Sequence, residues 1–203
     1  MNFVDVVRRL RVDPCAYLDN CCASSLRTFL VGYRTADCSV ANATALLLEI
    51  FPGREPFDVC TRVYLSYADG AAGVAAVLDA LENVAAAGLE PPGDEFFTES
   101  VFVDAVRGPI LQGRPAMVLG DPTVSSLYNY ARGFMSGLEV VAPAEAVRQI
   151  RELAEFEKWL QEWYGVPGAA WYKLIRVHEG VCDRGLKRFV ELWDKFAEAR
   201  SAP

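Results

Sequence analysis

The sequence predicts an α+β protein, mainly helical, built from two tandem copies of a roughly 90-residue unit with one short strand or so per copy, packed as a pseudo-two-fold pair. Three observations predict it. The hexapeptide FVDVVR at Phe3–Arg8 returns as FVDAVR at Phe102–Arg107. The residues after each copy match in order: Pro14 with Pro115, Leu18 with Leu119, Ser24 to Leu26 with Ser125 to Leu127, Phe29 with Tyr130, and Gly32 with Gly133. Apolar residues then recur mostly at helical spacing, with one stretch that alternates. A duplication divides the chain into a first repeat unit over 1–89, a linker over 90–101 and a second unit over 102–203, the two forming one compact pseudo-dimeric domain. The linker text, GLEPPGDEFFTES, joins a Pro-Pro-Gly turn signal to a run of acids.

Each element follows from local pattern. Phe3, Val6, Val7 and Leu10 stand at i, i+3, i+4 and i+7 and predict an amphipathic helix. Phe102, Ala105 and Val106 repeat the spacing, with Gly108 and Pro109 as the stop. The Pro-led PCAYL and PAMVL predict a turn or short strand. SSLRTFLVGYR and SSLYNYARGFM predict helices with Ser24 and Ser125 as N-terminal caps. Longer helices follow in VANATALLLEIF and PAEAVRQIRELAEFEKWLQEWY, the second opened by Pro143, and Gly53 and Gly165 stop them. DVCTRVYLSY alternates Val59, Thr61, Val63 and Leu65 with Cys60, Arg62, Tyr64 and Ser66, a strand pattern. WYKLIRVHE also fits a helical face through Trp171, Leu174, Ile175 and His178, but homologous units should share a fold, so it is assigned to a strand. Each unit closes with a helix, GVAAVLDALENVAAA and RGLKRFVELWDKFAEA.

Bulk properties narrow the class. With 203 residues, 52% of them hydrophobic and 23% charged, the chain can bury a core and lies far from the disordered regime. It contains no uninterrupted apolar run of membrane-spanning length, and Asp5, Arg8, Arg9 and Arg11 break up any secretory leader. A cytoplasmic protein with reduced thiols is expected. The first hundred residues carry 7 Lys and Arg against 14 Asp and Glu, whereas the remainder carries 13 of each. That imbalance argues against nucleic-acid binding and suits a basic partner.

Candidate chemistry is sparse. His178 is the only histidine, so any Ser-His or Cys-His nucleophile system must use it, and the duplicated frame sets Ser66 opposite it. The six cysteines, Cys15, Cys21, Cys22, Cys38, Cys60 and Cys182, contain no C-x-x-C pair and read as buried small hydrophobes rather than zinc ligands. No phosphate-binding glycine loop is written, and no acid pair stands out. A non-enzymatic protein without cofactor or metal is expected. The alternative is an enzyme or ligand-binding protein with a pocket between the units, lined by Trp171, Tyr172 and His178.

Aromatics are the remaining signal. Trp159 and Trp163 lie one helical turn apart, and Tyr128 faces the charged Arg27 in the duplicated frame, which marks it as the aromatic most suited to exposure. At RPAMVLGDPTVSSLYNYARGFMSGLE the second half resembles a loose group of small bacterial proteins that open with R-P-x-M-x-L-G. Here that motif is Arg114, Pro115, Met117, Leu119 and Gly120, and the likeness extends through Gly133 with Phe134, Phe156 with Trp159, and the Leu186–Phe196 segment. The group is regarded as companions of secreted toxins. The resemblance implies a toxin-neutralising immunity protein whose partner is a toxin; the acid excess makes a basic toxin domain the expected partner, and the charge and aromatic patterns make Asp94, Glu95, Glu99, Tyr128, Trp159 and Trp163 the expected partner-binding residues.

Overall fold

The computed structural model describes residues 3–36, 70–86 and 101–201. Among these residues the order of elements is α1 (Phe3–Val12), a 3-10 turn (Pro14–Ala16), α2 (Ala23–Ala36), α3 (Ala71–Ala86), α4 (Phe102–Leu111), α5 (Ala116–Leu119), α6 (Val124–Val141), α7 (Pro143–Tyr164), α8 (Trp171–His178) and α9 (Asp183–Ser201).

The helical period of α1 places Phe3, Val6, Val7 and Leu10 in the interior. They meet Val74, Val77, Leu78 and Leu81 of α3 and Leu26, Phe29 and Tyr33 of α2 in one apolar cluster. A second, larger cluster gathers Phe102 of α4, Phe134 of α6, Phe156 of α7 and Phe189, Trp193 and Phe196 of α9. Helices α2 and α6 join the two clusters, crossing with glycine against backbone. A Cβ at Gly32 would overlap the Tyr130 carbonyl, and a Cβ at Gly133 would overlap the Phe29 carbonyl. The contact is reciprocal, and only residues without a side chain allow it.

Caps and buried amides complete the frame. Thr123 caps α6, its hydroxyl accepting from the Ser126 N–H at 3.1 Å, so Ser125 is not the cap. Gln149, buried on α7, accepts from the Phe102 N–H at 2.9 Å and thereby satisfies an orphan donor in the first turn of α4. Gly165 ends α7 in the left-handed region at φ 68°.

The α+β assignment is corrected. WYKLIRVHE forms helix α8, and no strand occurs among the described residues. Trp171, Leu174 and Ile175 are buried while Lys173, Arg176 and Val177 are exposed, which is the helical face that the sequence also permitted. Borrowing a strand from the first half failed because burial on one side of the segment, not kinship with DVCTRVYLSY, decides its conformation. The tandem repeat loses its support with that strand. A 3-10 turn at Pro14–Ala16 stands where the second half forms helix α5, and Cys15 and Cys21 are bonded where that half has Ala116 and Pro122. Helix α4 also runs past Gly108 and Pro109 to Leu111, since buried Ile110 holds its last turn in the core. The proposed strand over 58–67, the helix VANATALLLEIF and the linker up to residue 100 lie outside the described residues.

Candidate functional site

Between α1 and α2 the chain makes a small loop closed by a disulfide from Cys15 to Cys21, where the sequence led us to expect reduced thiols. Of the other described cysteines, Cys22 is half-buried and Cys182 exposed, so neither is the fully buried hydrophobe expected. The disulfide loop is bonded to the far half of the chain. The Asp19 N–H donates to Asn129 Oδ1 at 2.8 Å, and Asn129 is buried on α6. The Asp19 carboxylate accepts from the Tyr172 hydroxyl at 2.6 Å and pairs with Arg176 at 3.4 Å. Burial, then this hydrogen bond to Asp19, raises the Tyr172 hydroxyl far above the ordinary phenol range, so it donates at neutral pH. Arg132 reaches back from α6, donating through Nη2 to the Ala16 carbonyl at 3.2 Å with its guanidinium over the Tyr17 ring at 5.4 Å.

Opening the Cys15–Cys21 loop releases chain entropy in the unfolded state and is expected to cost about 2 kcal/mol. A urea titration with and without reductant checks this. The midpoint should fall in reductant for the native chain and stay constant for a C15S/C21S variant.

A cleft of about 360 Å³ opens beside this loop, bounded by Arg9 of α1, Tyr17, and residues of α6, α7 and α8. Its apolar lining includes Tyr128, Met135, Leu153 and Trp171, and its polar lining Arg9, Arg132, Ser136, Glu139 and Glu157. Tyr128 and Tyr172 stack with centroids 4.2 Å apart, and Trp171 lies 6.2 Å from Tyr128. Burial raises the Tyr128 hydroxyl above its ordinary value and keeps it protonated. Glu157 accepts from the Trp171 N–H at 2.9 Å, anchoring the start of α8. Arg132 Nε is buried without a hydrogen-bond partner.

A second feature lies on α7. Trp163 is 50% exposed, its ring 5.0 Å from that of Trp159 and 5.2 Å from the Lys195 ammonium. Trp159 is half-buried against Phe156 and Phe196.

The residues singled out in the sequence fall in separate places. Trp159 and Trp163 form one patch. Tyr128 lines the cleft and is half-buried, less open than Trp163. Asp94, Glu95 and Glu99 lie outside the described residues. Of the alternative pocket residues, Trp171 lines the cleft and Tyr172 braces it from behind. His178, exposed at the other end of α8, stacks on Tyr164 with centroids 4.3 Å apart. In the R-P-x-M-x-L-G segment Leu119 is buried and its carbonyl accepts from the Thr28 hydroxyl at 3.2 Å, while Met117 is 75% exposed. Gly120 turns the chain at φ 73°, against the Arg27 guanidinium.

Sequence reading missed Tyr17, Asp19, Asn129 and Arg132. A usable signal was present: two cysteines six apart bracket an aromatic and an acid, and Asn129 sits between Leu127 and Tyr130 on an apolar face. Among the described residues no three His, Cys, Asp or Glu side chains are placed to hold a metal ion, and no helix is long and apolar enough to cross a membrane. Comparison of the chain with protein-family models, curated proteins and solved structures finds no match.

Proposed function

We propose that the protein acts by binding another protein, most concretely as a cytoplasmic immunity protein that covers the working surface of a bacterial toxin. The observation that carries the binding reading is Trp163, half exposed beside Trp159 and Lys195. Trp159 is wedged against Phe156 and Phe196, so the pair is held before a partner arrives and little side-chain freedom remains to be lost. Tryptophan in such a position has the makings of an interface hot spot. The acid excess of the first hundred residues favours a basic partner and fast association, with Asp94, Glu95 and Glu99 as its proposed steering groups. The toxin assignment itself is supported by the resemblance through Arg114 to Gly120.

Trp163→Ala is the test. Its stability cost should stay below about 1 kcal/mol because half the ring is already in water, while affinity for the partner falls at least about tenfold. The measurement is survival of cells that co-express the variant with a neighbouring gene product toxic on its own. Full protection by the variant, at unchanged protein level, overturns the assignment of Trp163 to the interface.

A second reading, a small-ligand-binding protein or enzyme with its site between the N-terminal segment and the C-terminal helices, is favoured by the cleft between the disulfide loop and α6, α7 and α8.

A further inference from the structure

We infer that this cleft binds a small molecule joining a carboxylate to an aromatic or other flat apolar body. The inference rests on the second reading above, that the cleft is a ligand site, and adds the ligand's chemistry. A volume of about 360 Å³ is at the small end of ligand-binding cavities and suits a compact molecule.

The carboxylate follows from the arginines. Helix α6 presents Arg132, Met135, Ser136 and Glu139 at i, i+3, i+4 and i+7, one row of side chains along the cleft. The Arg132 guanidinium lies over Tyr17, with Nη2 fixed on the Ala16 carbonyl and Nε sealed from solvent. Its Nη1 has no acceptor among the described residues, and neither does the Arg9 side chain. A guanidinium fixed in this way presents Nη1 as a preorganised, charge-assisted donor to an anion. The two acids of the lining compete unequally. Glu157 is engaged by the Trp171 N–H at the N-terminus of α8. Glu139 stands seven residues beyond Arg132, about 10 Å along the helix axis, and leaves the Arg132 end to an anion.

The flat apolar body follows from the other lining. Tyr128 and Trp171 form an aromatic wall, and Tyr172 stacked behind Tyr128 keeps that ring in place. Leu153 and Met135 add aliphatic surface. The Tyr128 hydroxyl has no hydrogen-bond partner among the described residues and stays protonated, so it can donate a second hydrogen bond to the ligand.

The experiment titrates the full-length protein with 3-phenylpropionate, its neutral amide and phenethylamine, read by calorimetry and by the tryptophan fluorescence. The acid should bind saturably and the amide at least about tenfold more weakly. R132Q should erase the difference between acid and amide. A154F, which fills the cleft from α7 while leaving every bond of Arg132 in place, should abolish binding of all three. Equal affinity for acid and amide overturns recognition of the carboxylate while the cleft stands as a ligand site. Preference for phenethylamine assigns the cleft to Glu139 and overturns the proposal. No saturable binding of any probe at about 10 mM, corresponding to less than about 3 kcal/mol of binding free energy, overturns the ligand-site reading with it.

Discussion

Gly133→Ala should destabilise the protein by about 3 to 5 kcal/mol. Alanine is the better helix former by about 1 kcal/mol, so propensity alone predicts the opposite sign. Sterics decide it. The new Cβ would overlap the carbonyl oxygen of Phe29, and its carbonyl carbon and Cα are also close. A side chain could swing aside, but a backbone carbonyl in the middle of α2 moves only if the two helices separate. Separation would loosen Phe29, Tyr33, Tyr130 and Phe134, all of them buried at the crossing. Gly32→Ala meets the Tyr130 carbonyl in the same way and should cost a similar amount. Gly108→Ala on α4, with open space around its Cβ, should change stability by no more than about 1 kcal/mol. Urea midpoints at constant m-value compare the three. A Gly133→Ala protein as stable as the parent would show that α2 and α6 do not pack through these glycines.

Phe156→Ala should cost about 3 to 5 kcal/mol through a different mechanism, the opening of a cavity. Phe156 is completely buried, and its ring lies 4.8 Å from Trp193, 5.5 Å from Phe196 and 5.7 Å from Phe189. Those neighbours are themselves rigid aromatics, which cannot flow into the void as methionine or leucine would. Phe156→Leu should recover more than half of the loss. The check is again the urea midpoint, together with the fluorescence of Trp159 and Trp193, whose rings lose a partner. A cost under about 1 kcal/mol would mean that the aromatic cluster collapses on itself and is looser than its geometry indicates.

Helices α1, α3, α7 and α9 were legible in the sequence because the large apolar residues that each buries recur at a helical period that no strand can satisfy. The apolar faces of α2 and α6 were legible for the same reason, although Thr123 rather than Ser125 caps α6. Segment 171–178 was misread because in so short a stretch Trp171, Leu174 and Ile175 fit two periods, and the choice was handed to another part of the chain. What local pattern does not carry is partnership across distance. Gln149 looks like a surface residue of α7 until its bond to the Phe102 N–H is known, and Asn129 like a defect on an apolar face until Asp19 is placed against it. Apart from Trp171, the lining of the cleft was invisible for that reason: its walls come from α1, the disulfide loop and three later helices, and no sequence spacing joins Arg9 to Trp171. Trp159 and Trp163 were visible as a pair, since one helical turn separates them, but their exposure depends on where α9 lies.

The glycine crossing also sets a timetable. About a hundred residues separate Phe29 from Gly133, so α2 is finished long before the helix it must receive has been synthesised. At ordinary translation rates that interval is roughly 5 to 20 s. Throughout it, the face of α2 that carries Gly32 has no α6 to cover it, and the loop whose closure unites the two apolar clusters cannot form. Union of the two apolar clusters therefore waits on the synthesis of α6, and a nascent chain halted before Gly133 should be held by chaperones, not released as a folded half.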